Sequence, residues 1–173
     1  MNILKIRDAR DADREIIQSV TLSAYEQYAA VMGENWKFYR GNILDTLADV
    51  KPAEQIVAET DRGIVGAVLM YPAGSKLHGP DGRQISLPVP EVRLLAVLPI
   101  ARGQGIGVAL MQECIRRARQ SGAATLGLHT TDMMQVAMRM YESMGFVRVP
   151  ELDLSPAEGV LVKGYRIDLS RPA

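Results

Sequence analysis

Three glycines at alternate positions, Gly103, Gly105 and Gly107, join the apolar run Leu95-Ala96-Val97-Leu98 to the helical pattern that continues through Val108, Ala109 and Leu110. A turn of this kind lacks the Cβ atoms that would hold an anion away, so successive backbone N–H groups can line one concavity. The helix that follows adds its unpaired N–H groups and the positive end of its dipole. Such a turn can hold a diphosphate with little help from side chains.

Other glycine-rich turns fit less well. A dinucleotide fingerprint requires Gly-x-Gly-x-x-Gly or a closing Ala early in the chain, with an acidic residue about 20 positions on. Here Val108 occupies the third position, and the next strand ends near His129. A nucleotide triphosphate loop requires Lys-Ser or Lys-Thr after the glycines, and neither follows. A purely structural tight turn remains open.

Around this turn the chain resembles the GNAT superfamily of N-acetyltransferases. Arg102, Gly105 and Gly107 occupy the fixed positions of its Gln/Arg-x-x-Gly-x-Gly/Ala loop. Glu91 to Val97 followed by Pro99 is similar to the family's fourth strand, and Ala137 to Phe146 to its closing helix, with Tyr141-x-x-x-Gly145-Phe146 at the end. The resemblance covers roughly 91–146.

It implies an α/β fold: a single-domain mixed sheet over 1–173 with splayed parallel central strands, Glu91 to Val97 and Ala124 to Leu128, and flanking helices. It also implies acetyl-CoA as cosubstrate. The pyrophosphate would rest on Arg102, Gly103, Gln104, Gly105, Ile106, Gly107 and Val108, and the pantetheine on backbone groups of Leu95 and Val97, whose side chains are expected in the core. Tyr141 takes the family's place for the acid that protonates the leaving thiolate, and Glu91 for the base that relays the amine proton through water. His129 and water remain alternatives for the base. The family often has Asn seven residues before the tyrosine, where this chain has Met134.

The expected reaction is acetyl transfer to a primary amine, more in keeping with a small molecule than a peptide, since no acidic run is present to hold a polycation. A non-catalytic acyl-CoA sensor of the same fold and a protein or peptide N-acetyltransferase are the alternatives. Fold alone does not choose an acceptor. Tyr25, Tyr28, Trp36, Tyr39 and the stretch Ser75 to Leu87 lie where the family selects it.

Lys plus Arg and Asp plus Glu stand at 20 each, which supplies no field for a nucleic-acid backbone. No run suits a signal peptide or a membrane span, so a cytoplasmic protein is expected. The chain is compatible with a homodimer as with a monomer. Cys114, the one cysteine, sits in a helical apolar pattern, and two histidines, His78 and His129, make no metal set. No metal is expected.

The pattern reads strand, two helices, two strands, a long loop, strand, helix, strand, helix and two closing strands. Asp11 is expected to cap a helix with Ile16, Val20, Ala24 and Tyr28 on one face, and Trp36, Ile43, Leu47 and Val50 outline a second face. Gln55 to Glu59 and Ile64 to Met70 read as a hairpin around Asp61-Arg62-Gly63. Pro72 to Pro90, with the turn Pro80-Asp81-Gly82, reads as a surface loop. Helix Gly107 to Gln120, packed through Met111, Cys114, Ile115 and Ala118, leads by a right-handed crossover to strand Ala124 to Leu128. Helix Met133 to Met144 follows. Phe146 to Val149 and Val160 to Leu169 read as strands joined by a connection around Ser155-Pro156.

Overall fold

The computed structural model of the protein describes residues 4–78, 84–157 and 159–170. In chain order its elements are β1 (Lys5–Asp8), α1 (Arg14–Tyr25), α2 (Ala29–Met32), α3 (Asn35–Ala48), β2 (Glu54–Thr60), β3 (Gly63–Tyr71), β4 (Lys76–His78), β5 (Gln84–Ser86), β6 (Glu91–Val97), α4 (Ile106–Gln120), β7 (Thr125–Thr130), α5 (Gln135–Ser143), β8 (Val147–Arg148), β9 (Leu154–Ala157) and β10 (Val160–Asp168). This is a mixed α/β chain in two compact units: Met1–Met70 with Leu94–Glu113, and Tyr71–Arg93 with Cys114–Ala173. Among the described residues, no helix is long and apolar enough to cross a membrane.

In the first unit the strand order is β1-β2-β3-β6, with β1-β2 and β2-β3 antiparallel. The hairpin expected at Asp61-Arg62 is present, and Gly63 takes a φ of +103° there, which a side chain rarely tolerates. Residues 64–71 of β3 are all buried, as in a strand covered on both faces. Gly66 lets α4 settle onto β3, because a Cβ there would stand 3.1 Å from the Ala96 carbonyl, Ile106 and Leu110.

The face of α1 is offset from the expected one. Ile17, Val20, Thr21, Ala24 and Tyr25 are buried, whereas Ile16 is exposed and Tyr28 lies beyond the helix in a 3-10 turn. Thr21 can occupy this apolar stripe because its hydroxyl donates to the Ile17 carbonyl at 2.8 Å. Asp11 does not cap the helix through its side chain. Asp13 accepts the Arg10 N–H at 2.8 Å and pairs with Arg7 at 2.6 Å, while Arg7 also forks onto Glu59 at 2.8 and 2.9 Å. On α3, Ile43 and Leu47 are buried and Trp36 half-buried, and Val50 lies past its end.

In the second unit the order is β6-β7-β10-β8, with β9 also on β10. The β6-β7 ladder is parallel and carries two register pairs, Glu91↔Gly127 and Val92↔Leu128; β7-β10, β10-β8 and β10-β9 are antiparallel. The stretch Pro72 to Pro90 is not plain loop, since β4 and β5 form a short antiparallel hairpin in it. Its expected turn, Pro80-Asp81-Gly82, lies outside the described residues. Ser155-Pro156 is likewise part of a strand, β9, whose single partner β10 leaves room for a proline without a ladder N–H. The strand expected at Phe146 to Val149 is only Val147–Arg148.

Helix α4 ends as its sequence predicts: Gly122 has a φ of +80°, and the Ala123 N–H donates to the Ala118 carbonyl at 3.1 Å. Helix α5 ends the same way. Gly145 has a φ of +95°, and the Phe146 N–H donates to the Tyr141 carbonyl at 3.0 Å, which places Phe146 in a buried position under the helix.

Candidate functional site

In the first unit, strand β6 carries the one positive φ of a non-glycine among the described residues, +51° at Leu94. Such a residue costs about 1–3 kcal/mol. Beyond it Ala96 is buried, and Leu95 and Val97 are only half-buried rather than core. The Leu98 N–H closes onto the Val65 carbonyl at 2.9 Å, and a 3-10 turn, Pro99–Ala101, leads to the glycines.

Gly103 and Gly105 both take a φ of +75°, and a Cβ built at either meets nothing within 4 Å. These two therefore need glycine. Gly107 lies inside the first turn of α4 in ordinary helical conformation, one residue into a helix expected to open at it. The Gly105 carbonyl accepts the Ala109 N–H at 2.9 Å and so opens the helix. Among the described residues, no backbone bond is made by the N–H groups of Gly103, Gln104, Gly105, Ile106, Gly107 or Val108. An α-helix leaves its first N–H groups without intrahelical partners, and here the preceding turn adds more of them. Gly103, Gln104 and Gly105 are exposed.

The Arg102 side chain turns away to α1, donating to the Ala24 carbonyl at 2.9 Å and to Gln27 Oε1 at 3.2 Å. A cation at the carboxyl end of a helix is favourable, and it ties the turn to α1.

In the second unit, Tyr141 sits on α5, buried, with its ring 5.9 Å from Phe146 in an edge-to-face arrangement. Glu91 opens β6 and is a buried carboxylate, with Oε1 3.3 Å from His129 Nδ1 and 3.6 Å from Arg93 Nε. His129 Nε2 lies 2.9 Å from the Leu152 carbonyl. Burial alone would lower the His129 pKa, but the Glu91 hydrogen bond and charge together with the Leu152 carbonyl outweigh it, and the pKa is raised. The two candidate bases are thus neighbours, which the sequence reading did not connect. The hydroxyls of Thr130 and Thr131, at the end of β7, are buried without a hydrogen-bond partner among the described residues. Met134, at the family's Asn position, lies in a 3-10 turn, Asp132–Met134, so the expected helix Met133 to Met144 is helical in α form only over Gln135–Ser143. No cluster of three or more metal-ligating side chains occurs among the described residues, and Cys114 is buried.

Comparison with known proteins identifies the family. The family model of the Acetyltransferase (GNAT) family matches residues 17–146. N-acetyltransferase 8F1 of Rattus norvegicus is 32% identical over 123 residues, which is 66% of this chain and 52% of that protein. An uncharacterized N-acetyltransferase of Schizosaccharomyces pombe is 29% identical over 117 residues, 67% of this chain and 64% of that protein. The chain spans about half the length of the rat relative it matches. Among solved structures, a GNAT-family acetyltransferase of Staphylococcus aureus aligns with a TM-score of 0.70 at 16% identity, covering 97% of this chain and all 100% of the other. A GNAT-family acetyltransferase of Brucella melitensis in complex with acetyl-CoA aligns at 0.62 and 24% identity, covering 100% of this chain and 92% of the other. With a matching family model across most of its length and the glycine turn of that family in place, this chain belongs to the GNAT family of acetyltransferases.

Proposed function

We propose that the chain is an acetyl-CoA-dependent N-acetyltransferase that acylates the primary amine of a small molecule, with 1–173 working as one N-acetyltransferase domain. The observation that carries this reading is the run of N–H groups from Gly103 to Val108 that find no backbone partner among the described residues, at a turn with two left-handed glycines. They suit the diphosphate of coenzyme A, which the main chain alone would hold. Leu95 and Val97, half-buried on β6, are the positions whose backbone groups would bond the pantetheine amides as an added strand would.

In this reading the Tyr141 hydroxyl supplies the proton that the departing thiolate takes up, and Glu91 receives the proton that the amine gives up. Neither carries the larger share of the rate. Holding amine and thioester aligned contributes about 7–11 kcal/mol, against roughly 10²- to 10⁴-fold for one proton carrier. The backbone cradle is therefore the part on which activity depends most. Net charge balance, with acidic and basic residues at 20 each, favours a small amine over a basic peptide.

The test is a thiol-release screen with acetyl-CoA against small amines, amino acids and lysine-containing peptides. Release of CoA with a small amine and not with peptides is expected. CoA binding without release for any acceptor would leave an acyl-CoA sensor, and preference for peptides would overturn the acceptor class.

A further inference from the structure

Glu91 and His129 are placed on one face of the sheet by register. Glu91 stands opposite Gly127 in the parallel ladder, and His129 follows Gly127 by two positions, so the two side chains project to the same side. Glycine at 127 keeps the intervening position clear, and Val89 and the Pro90 carbonyl pack over it, 3.4 and 3.6 Å from where a Cβ would stand.

The Leu152 carbonyl then decides the tautomer of His129. A carbonyl only accepts, so at 2.9 Å Nε2 must carry its hydrogen. A neutral imidazole has one N–H, which leaves the Nδ1 lone pair facing Glu91 Oε1 at 3.3 Å. Two lone pairs in that position repel unless a proton lies between them. The pair is therefore built to take up one proton more avidly than an imidazole alone.

Leu152 is itself held in place. Its 3-10 turn, Pro150–Leu152, sits against Gly164, the β10 partner of His129, where a Cβ would come 2.5 Å from the Leu152 Cβ. The Val149 N–H donates to the Gly164 carbonyl at 2.9 Å, and Asp153 Oδ1 accepts the Gly164 N–H at 3.1 Å. Only glycine at 164 lets the turn approach closely enough to present its carbonyl to Nε2.

We propose that Glu91 and His129 accept the acceptor amine's proton as one unit, with the proton lodged between Glu91 Oε1 and His129 Nδ1. This rests on the acetyl-transfer reading above. Glu91 faces the amine, and His129 is the positioning residue that holds the proton behind it. As the amine nitrogen bonds to the thioester carbonyl carbon, its N–H proton passes to the pair. The C–S bond breaks, its electron pair takes the Tyr141 hydroxyl proton, and solvent carries the proton from the pair back to Tyr141. Nothing is oxidised or reduced.

The surrounding charges act in both directions. Arg93 on β6 favours the neutral imidazole of His129, as does burial, while Glu91 favours the imidazolium. Asp153 beside the turn also faces His129 and is itself paired with Arg148 of β8, and Lys163, in register with Thr130, pairs with Asp132. The pair is loaded on the acid side of its titration and accepts a proton on the alkaline side, so activity should rise with pH through a midpoint above the ordinary histidine value of about 6.5.

The test is ¹⁵N–¹H imidazole NMR of the whole protein through a pH titration. With two histidines in the chain, His129→Gln assigns the signals by removing one set. His129 should titrate above about 6.5, carry its hydrogen on Nε2 when neutral, and titrate lower in Glu91→Gln. A midpoint at or below that value and unmoved by Glu91→Gln, or a neutral ring protonated on Nδ1, overturns the proposal. Should Glu91→Gln not fold, the wild-type midpoint and tautomer decide it. With an amine found by thiol release, Glu91→Gln and His129→Gln should each slow turnover, and the double variant no more than the slower single; losses that multiply would overturn a shared role. The NMR needs no acceptor, so a screen in which no amine releases CoA counts against the enzyme reading alone.

Discussion

Replacing Gly105 by Ala separates the two things that this glycine does. Its φ of +75° strains any residue with a Cβ, at about 1–2 kcal/mol. For a chain of this size each kcal/mol moves the melting temperature by roughly 2–4 °C, so a fall of about 2–8 °C is expected. No packing clash adds to this, because nothing lies within 4 Å of the new Cβ. That open space is where the diphosphate would rest, and displacing it from even one charge-assisted N–H bond forfeits about 1.5–3 kcal/mol. Affinity for acetyl-CoA should therefore weaken by about 10- to 150-fold. Gly63→Ala is the control: its φ of +103° brings comparable strain at the β2-β3 turn, again with nothing within 4 Å. Calorimetric titration of both variants, with a thermal melt of each, is the assay. Loss of melting temperature in both and loss of affinity in Gly105→Ala alone is expected. Equal affinities in wild type and Gly105→Ala would refute the reasoning.

Tyr141→Phe should lower kcat by about 10²- to 10⁴-fold while sparing coenzyme affinity, measured by thiol release and calorimetry; wild-type turnover would remove Tyr141 from proton transfer. Gly66→Ala should destabilise the protein by about 1–3 kcal/mol in urea, since its Cβ would press at 3.1 Å on Ala96, Ile106 and Leu110. The raised pKa of His129 means that the folded state binds its proton more tightly than the unfolded state. Its stability contribution is complete below about 6.5 and is lost as pH rises through the folded value, so His129→Gln should flatten that alkaline-side decline in melting temperature. The Arg7 hydrogen bond holds the Asp13 carboxyl below its ordinary value of about 3.8, with the opposite sign: its contribution is present above that value and fades as pH falls through the lower folded one. Arg7→Gln should weaken this acid-side decline, measured as melting temperature against pH, with the Arg10 N–H bond to Asp13 left in place.

The glycine turn was legible because its information is local. Spacing alone marks Gly103 and Gly105 as positions without a Cβ, and the same is true of the hairpin at Asp61-Arg62-Gly63 and of the glycines that end α4 and α5. Side-chain destinations were not legible. Arg102 reads as an anion contact in a linear motif, yet its guanidinium goes to Ala24 and Gln27, residues brought to it only by packing. The α1 face shifted because a threonine that satisfies its own hydroxyl can replace an apolar residue in the stripe, leaving Ile16 exposed. Short elements also escaped notice, since β4 and β5 are too brief to show alternation and a proline disguised β9. The pairing of Glu91 with His129 depends on strand register and on the missing Cβ at Gly164, neither of which has a signature at the two residues themselves. Glu91 and His129 therefore read as rival bases when taken one at a time.

In the proposed function, the main-chain N–H groups from Gly103 to Val108, which find no backbone partner among the described residues, hold the diphosphate of coenzyme A. Backbone ¹⁵N–¹H spectra recorded while CoA is titrated in, with pantetheine as the ligand that lacks the diphosphate, test it most directly. Large shifts are expected at Gly103, Gln104, Gly105, Ile106, Gly107 and Val108 with CoA, and little change at them with pantetheine. Saturable CoA binding that leaves these amides unmoved would contradict it.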